Sequence, residues 1–255
     1  MGNSKILGAE RIVKHFGGVK ALDDVSLSIS QEEVLGLIGP NGAGKTTLFN
    51  IISGFIKPDG GKVIFKGVDI TSHPPHKIAR MGMSRTFQNL RVFSEMSVIE
   101  NIMVGADVLT SAGFFSNLFA FPSIWKSERE SIEKAEYFLE EVGLQDFRNT
   151  PAGDLPFGKM RLVELARALV TEPELLLLDE IASGLNTSET LDLMELLFKV
   201  KEKHNLTILV VEHDMDFLMN LAERVVVLNF GRVIAEGSPD EIKKDPQVIA
   251  AYLGE

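Results

Sequence analysis

The sequence predicts an α/β fold: a mainly parallel sheet covered on both faces by helices, with an N-terminal antiparallel β subdomain and an inserted α-helical lobe. Three observations predict it. In the second half, short apolar runs alternate with helical periodicities, the pattern of strands buried on both faces. Three strand-like segments crowd residues 10–38. From about Asn89 to Gly158, β-type patterning nearly vanishes. A chain of 255 residues can bury one large core with a lobe attached.

The elements follow in order. RIVKHF, VSLSIS and VLGLI read as strands, and the last is almost uniformly apolar, as a buried parallel strand should be. A glycine loop leads into a helix ending near Ser53. KVIFKGVDI is a further strand with a turn at Gly67. SVIENIMVGADVL and SERESIEKAEYFLEEVGL have helical spacing, which assigns 89–158 to the lobe and leaves 1–88 and 159–255 as the core. A helix at 160–171, the strand LLLLD, a helix at 187–203, the strand TILVV, a helix at 214–222 and the strand RVVVLN complete the alternation. GRVIAEG and two short helices close the chain.

Composition narrows the function. Hydrophobic residues make up 45% and charged residues 24%, ordinary for a soluble globular chain. A formal charge of −10 runs against a nucleic-acid surface, so no nucleic-acid partner is expected. With no cysteine, disulfides and thiolate chemistry are excluded. No window approaches the roughly 18 apolar residues of a membrane-spanning helix. The opening MGNSKILGAE lacks the apolar core of a signal peptide.

Two motifs carry chemistry. GPNGAGKTT, Gly39 to Thr47, fits G-x-x-x-x-G-K-[ST] and lies between an apolar strand and a helix, the setting of a P-loop NTPase core. Gly39, Gly42 and Gly44 let the backbone of a loop containing Asn41 and Thr47 turn its N–H groups around an anion at a helix N-terminus. Lys45 is placed to reach the β- and γ-phosphates, and Thr46 to ligate Mg²⁺. LLLLDE sets Asp179 and Glu180 at the carboxyl end of a buried strand, where open parallel sheets bind ligands. Asp179 is expected to hold Mg²⁺ through water, and Glu180 to orient the attacking water.

The order GPNGAGKTT, FQN, LPFGKMRLVELARAL, LLLLDE, VVEHD resembles the ATP-binding subunit of an ABC transporter, over about residues 7 to 255. The resemblance implies ATP and Mg²⁺ as cofactors. It implies that Gln88 senses Mg²⁺ or the attacking water and faces the membrane subunit, that His213 contacts the γ-phosphate, and that Phe16 stacks on adenine. It implies a second ATPase subunit, identical or homologous, whose signature helix meets the γ-phosphate in trans. LPFGK stands at that signature: Pro156 precedes the helix, and Gly158 keeps the close backbone approach. Lys159 replaces a glutamine and either adds charge toward the phosphate or is solvated.

Within the family, SRTFQNLRVFSEMSVIENIMVG, GLN at 184–186 and the ending DPQVIAAYLGE resemble the LivG-like ATPases of branched-chain amino-acid importers. The implied function is ATP hydrolysis driving import of hydrophobic amino acids. The implied setting is peripheral, on the cytoplasmic face of the membrane beneath permease subunits, with an external binding protein as an indirect partner. Another cargo, such as an amide or lipopolysaccharide, and a soluble nucleic-acid ABC ATPase are the alternatives. Ile181 stands where the family commonly has proline, and Asn186 where it commonly has aspartate. The aromatic stretch AGFFSNLFAF at 112–121 reads as lobe core. His15, His73, His76 and His204 match no metal-ligand spacing and read as surface residues.

Overall fold

The computed structural model describes residues 4–86, 91–107 and 121–253. Gln88 and, apart from the backbone of its last residue, the stretch 112–121 lie outside the described residues.

Two long strands open the chain, β1 (Lys5–Phe16) and β2 (Val19–Ser30), paired antiparallel. β3 (Val34–Ile38) leads through the glycine loop into α1 (Lys45–Ile52). β4 (Gly60–Phe65) and β5 (Val68–Asp69) return to the first layer, giving a four-stranded antiparallel sheet ordered β2-β1-β4-β5. α2 (Pro75–Arg80) and β6 (Met83–Arg85) then carry the chain toward the lobe. The lobe holds α3 (Val98–Asp107) and α4 (Phe121–Glu141), and α5 (Phe157–Leu169) packs on both while leading back into the core.

The rest alternates as the pattern demands: β7 (Leu175–Asp179), α6 (Thr187–His204), β8 (Thr207–Val211), α7 (Met215–Leu221), β9 (Arg224–Asn229), β10 (Arg232–Gly237), α8 (Pro239–Ile242) and α9 (Pro246–Leu253). The second sheet runs β10-β9-β3-β8-β7-β6, parallel except for β10, which closes one edge as an antiparallel hairpin.

Why the central strands are uniformly apolar follows from their two faces. In β7, Leu176 and Leu178 join the core shared with the lobe and α6, while Leu175 and Leu177 join the core beneath the antiparallel sheet. β3 and β8 divide in the same way, with Val34 against Leu35 and Ile208 against Leu209. Burying one such side chain contributes about 1.5–3 kcal/mol, so a polar residue within these runs is costly on either face. α1 presses Leu48, Phe49 and Ile52 into the second core, which fixes the glycine loop above the carboxyl ends of the strands.

Several boundaries differ from the sequence expectation: β1 and β2 each begin six residues before the runs RIVKHF and VSLSIS. α5 begins at Phe157, three residues before the predicted start, with Pro156 as its extended N-cap. Gly158 and the exposed Phe157 break the apolar spacing there and hide the first turn. α2 and β6 are too short to show periodicity, and β6 buries only Met83 fully.

Candidate active site

The phosphate loop is shaped by backbone that only glycine adopts easily. Gly39 has φ 151°, and a Cβ there would meet the Leu228 carbonyl oxygen at 2.1 Å. Gly44 caps α1 in a left-handed conformation at φ 104°, with the Ala21 carbonyl 2.7 Å from where a Cβ would stand. Lys45 is buried, and its ammonium donates to the carbonyls of Gly39 (2.5 Å) and Pro40 (3.1 Å). Burial pulls its pKa below the usual lysine range, partly opposed by the charge of Glu180.

A cleft of about 450 Å³ lies beside this loop. Asn41, Gly42, Gly44, Lys45, Thr46 and Thr47 form its floor, and Glu180 and His213 reach it from the strand ends. Val19, Lys20 and Ala21 form the opposite lip with Phe230. Phe16 is not among these lining residues. It pairs across the hairpin with Val19, which does line the cleft, and its half-exposed ring lies 5.6 Å from the Lys14 ammonium.

The acid pair splits by environment. Glu180 follows β7 with φ 51°, an uncommon conformation for a residue with a side chain. Its backbone N–H donates to the Val211 carbonyl at 2.9 Å, and its Oε1 lies 2.7 Å from His213 Nε2. Asp179 is buried and accepts from the Arg85 guanidinium at 2.7 Å. Burial raises its pKa, and the Arg85 bond opposes that rise. Arg85 also donates to Asn50 on α1 (2.7 Å) and to Ser53 at its C-terminal cap (2.8 Å), so one side chain joins β6, α1 and β7.

The signature end lies elsewhere. Pro156 and Gly158 line a separate groove of about 480 Å³ with Leu185, Glu189 and Asp192. A Cβ on Gly158 would stand 2.6 Å from Glu189 Oε1. Glu189 closes a capping box on α6: its carboxylate accepts from the Asn186 N–H at 3.0 Å, while Asn186 accepts from the Glu189 N–H at 3.0 Å. Asparagine at 186 is thus a helix cap, a task its amide oxygen performs without a charge. Ile181 is fully buried, anchoring the loop by packing. The Lys159 ammonium sits 4.6 Å from the Phe147 ring, drawn toward the lobe. His204 is not a plain surface residue: its half-buried ring stacks 5.4 Å from Phe138.

Three residues of the site escape a motif reading. Arg85 stands three positions before Gln88 as the one cation of a short strand. Glu212 directly follows the apolar run of β8 and is itself buried. Phe230 is 85% exposed at φ 45° in the β9–β10 turn. The signals were present: a charge against a buried strand, and an aromatic in a turn beside glycine.

A phosphate loop at the head of a parallel sheet, an acid pair on a nearby strand end and a histidine on the next define an ATP-binding cassette, a class of ATPase. A family model described as ABC transporter matches residues 22–183, and a second, described as branched-chain amino acid ATP-binding cassette transporter, matches 232–255. The chain is 45% identical over 250 residues to the high-affinity branched-chain amino acid transport ATP-binding protein BraF of Pseudomonas aeruginosa, covering 98% of each. It is 44% identical to LivG of Escherichia coli K12, with the same coverage. Among solved structures it resembles the ADP conformation of an ATP-binding cassette of an ABC transporter, at 38% identity and a TM-score of 0.86, over 99% of this chain and 100% of that one. The chain belongs to the ABC transporter family, as an ATP-binding subunit whose relatives serve branched-chain amino acid transport.

Proposed function

We propose that this subunit hydrolyses ATP to drive import of branched-chain amino acids, working in a dimer on the cytoplasmic face of a membrane permease. The observation that carries the hydrolysis is the Glu180–His213 pair, 2.7 Å apart in the cleft that Lys45 and Thr46 line, and the cargo is supported by the branched-chain amino acid relatives. Glu180 orients the attacking water and accepts its proton. His213 holds that carboxylate and meets the γ-phosphate. Lys45 and the loop amides cradle the phosphates. Phe16, beside the Val19 lip, offers its ring to the base.

The hydroxyl of Thr46 and the carboxylate of Asp179 are hard oxygen donors, a set that suits Mg²⁺. Asp179 stays within the Arg85 bond, so it would reach the ion through water, and Gln88 would complete the set. The ion supplies neutralisation of charge on the transferring phosphoryl group.

A permease seat is supported by an apolar groove of about 400 Å³ between α2, β6, α3 and α5, lined by Phe55, Pro75, Ile78, Phe93 and Val104. Arg85 lines it too, and so links the groove to Asp179. No helix among the described residues is long and apolar enough to cross a membrane, which agrees with a peripheral subunit.

The test has two arms. Glu180→Gln is nearly isosteric but cannot take the proton, so it should bind ATP and lose steady-state hydrolysis by about 10²–10⁴-fold. Hydrolysis within threefold of the parent would remove Glu180 from its role. In vesicles carrying its permease and binding protein, leucine should stimulate ATP turnover where urea does not; the reverse would reassign the cargo.

A further inference from the structure

The motif residues account for the chemistry at Glu180 and His213, but not for how two separate loops hold those groups 2.7 Å apart. Glu180 opens the loop after β7, and His213 lies two residues beyond β8. Both strands end in the sheet, and the loops beyond them have no ladder to keep register. Glu180 occupies a left-handed conformation, which surrounding structure must hold in place.

Glu212 fills that gap. Its side chain is buried at the junction of the two loops, and its Oε1 accepts from the backbone N–H of Ala182 at 2.8 Å. The Glu180 N–H to Val211 carbonyl bond lies beside it. The two bonds bracket Glu180 and Ile181 and clamp the start of the loop to the end of β8. Ile181, fully buried, supports the clamp from the core. A carboxylate in such a place is expensive to bury unless its acceptors are used. Burial, with the nearby charges of Glu180 and Asp214, pushes its pKa up to about 7, against the Ala182 and His213 amides.

We propose that Glu212 is a positioning residue for hydrolysis: by accepting from Ala182 on one loop while preceding His213 on the other, it fixes the Glu180 carboxylate against the His213 imidazole. The inference rests on the roles given above to Glu180 and His213. Glu212 is buried and is not among the residues that line the nucleotide cleft. Its effect therefore falls on turnover and not on nucleotide affinity.

The experiment compares Glu212→Ala, Glu212→Gln and His213→Ala in the full chain, measuring kcat, KM for ATP and thermal melting, with Glu180→Gln as reference. Glu212→Ala should lower kcat by about 10–100-fold, a 1 Å misplacement being worth that much, with KM within twofold. Glu212→Gln keeps an oxygen toward Ala182 and should recover kcat to within about fivefold of the parent. Because Glu212 acts through the pair, adding Glu212→Ala to His213→Ala should cost less than threefold more. Glu212→Ser, polar but too short to reach Ala182, replaces the alanine variant if that chain does not fold. Three results would overturn the inference: a folded Glu212→Ala or Glu212→Ser with kcat within threefold of the parent, losses that multiply in the double variant, or a glutamine variant as impaired as the alanine one. An active Glu180→Gln would instead overturn the site reading beneath it.

Discussion

The two ends of the nucleotide site are built differently. At the phosphate loop, one chain supplies everything: a preformed turn, a lysine already bonded to its own loop, and an acid–histidine pair facing the same cleft. At the signature end, Gly158 and Pro156 open into another groove, and a carboxylate of the same chain, Glu189, leans over the glycine. The first end is organised to bind before ligand arrives. The second has a helix start and a close backbone approach but shares no cleft with the phosphate loop of its own chain. The difference teaches that the two ends do not meet within one chain, and on the function proposed above binding belongs to the monomer and completion of the site to a second copy.

The largest expected break of this contrast is at the loop end. Lys45→Ala removes a charged donor from the phosphates, and charge-assisted bonds contribute about 1.5–3 kcal/mol each. ATP affinity measured by calorimetry should fall on the order of 10²-fold. Unchanged MgATP affinity would end the claim that this loop is the self-sufficient end.

Next comes pH. Glu212 holds its proton to about 7 when folded, against the 4.5 of an unperturbed glutamate. Between those values the folded chain binds more protons than the unfolded one, so this residue's contribution to stability declines as pH rises and levels off above 7. Relative to Glu212→Gln, the parent should lose about 2 kcal/mol between pH 5.5 and 7.5 in urea unfolding. Parallel curves for the two proteins would contradict it.

The smallest effect sharpens the signature end. Gly158→Ala places a methyl against Glu189 Oε1 and forces that carboxylate off the Asn186 N–H. Losing one arm of a capping box costs about 1 kcal/mol, or roughly 2–4 °C in melting temperature. Monomer ATP affinity should not change.

The same contrast explains how far the sequence could be read. The loop end was legible because its chemistry is contiguous: GPNGAGKTT, LLLLDE and VVEHD each set their functional groups within a few residues of a strand end. The mainly parallel sheet was legible too, since VLGLI, LLLLD and TILVV are apolar on both faces, whereas its strand order depends on pairings between distant segments. Glu212 and Arg85 were not legible as site residues, because their partners, Ala182 and Asp179, lie 30 and 94 positions away along the chain. Asn186 looked like a departure from the family pattern, and the structure gives it a physical task as a helix cap. The packing of Gly158 under Glu189 joins α5 to α6 and has no local signature at all.

The measurement that bears most directly on the central claim is the oligomeric state of Glu180→Gln by analytical ultracentrifugation, with and without ATP. Two chains each at −10 repel when no nucleotide lies between them, so the nucleotide-free protein should sediment as a monomer. ATP held between Lys45 of one copy and Gly158 of the other favours the pair, and mass action should then give a dimer. Adding Gly158→Asp puts a second carboxylate beside Glu189 at the signature end, and its charge should oppose a γ-phosphate there and return the protein to a monomer that still binds ATP. A Gly158→Asp chain that dimerises normally with ATP would contradict the account, leaving LPFGK as no more than the start of a helix.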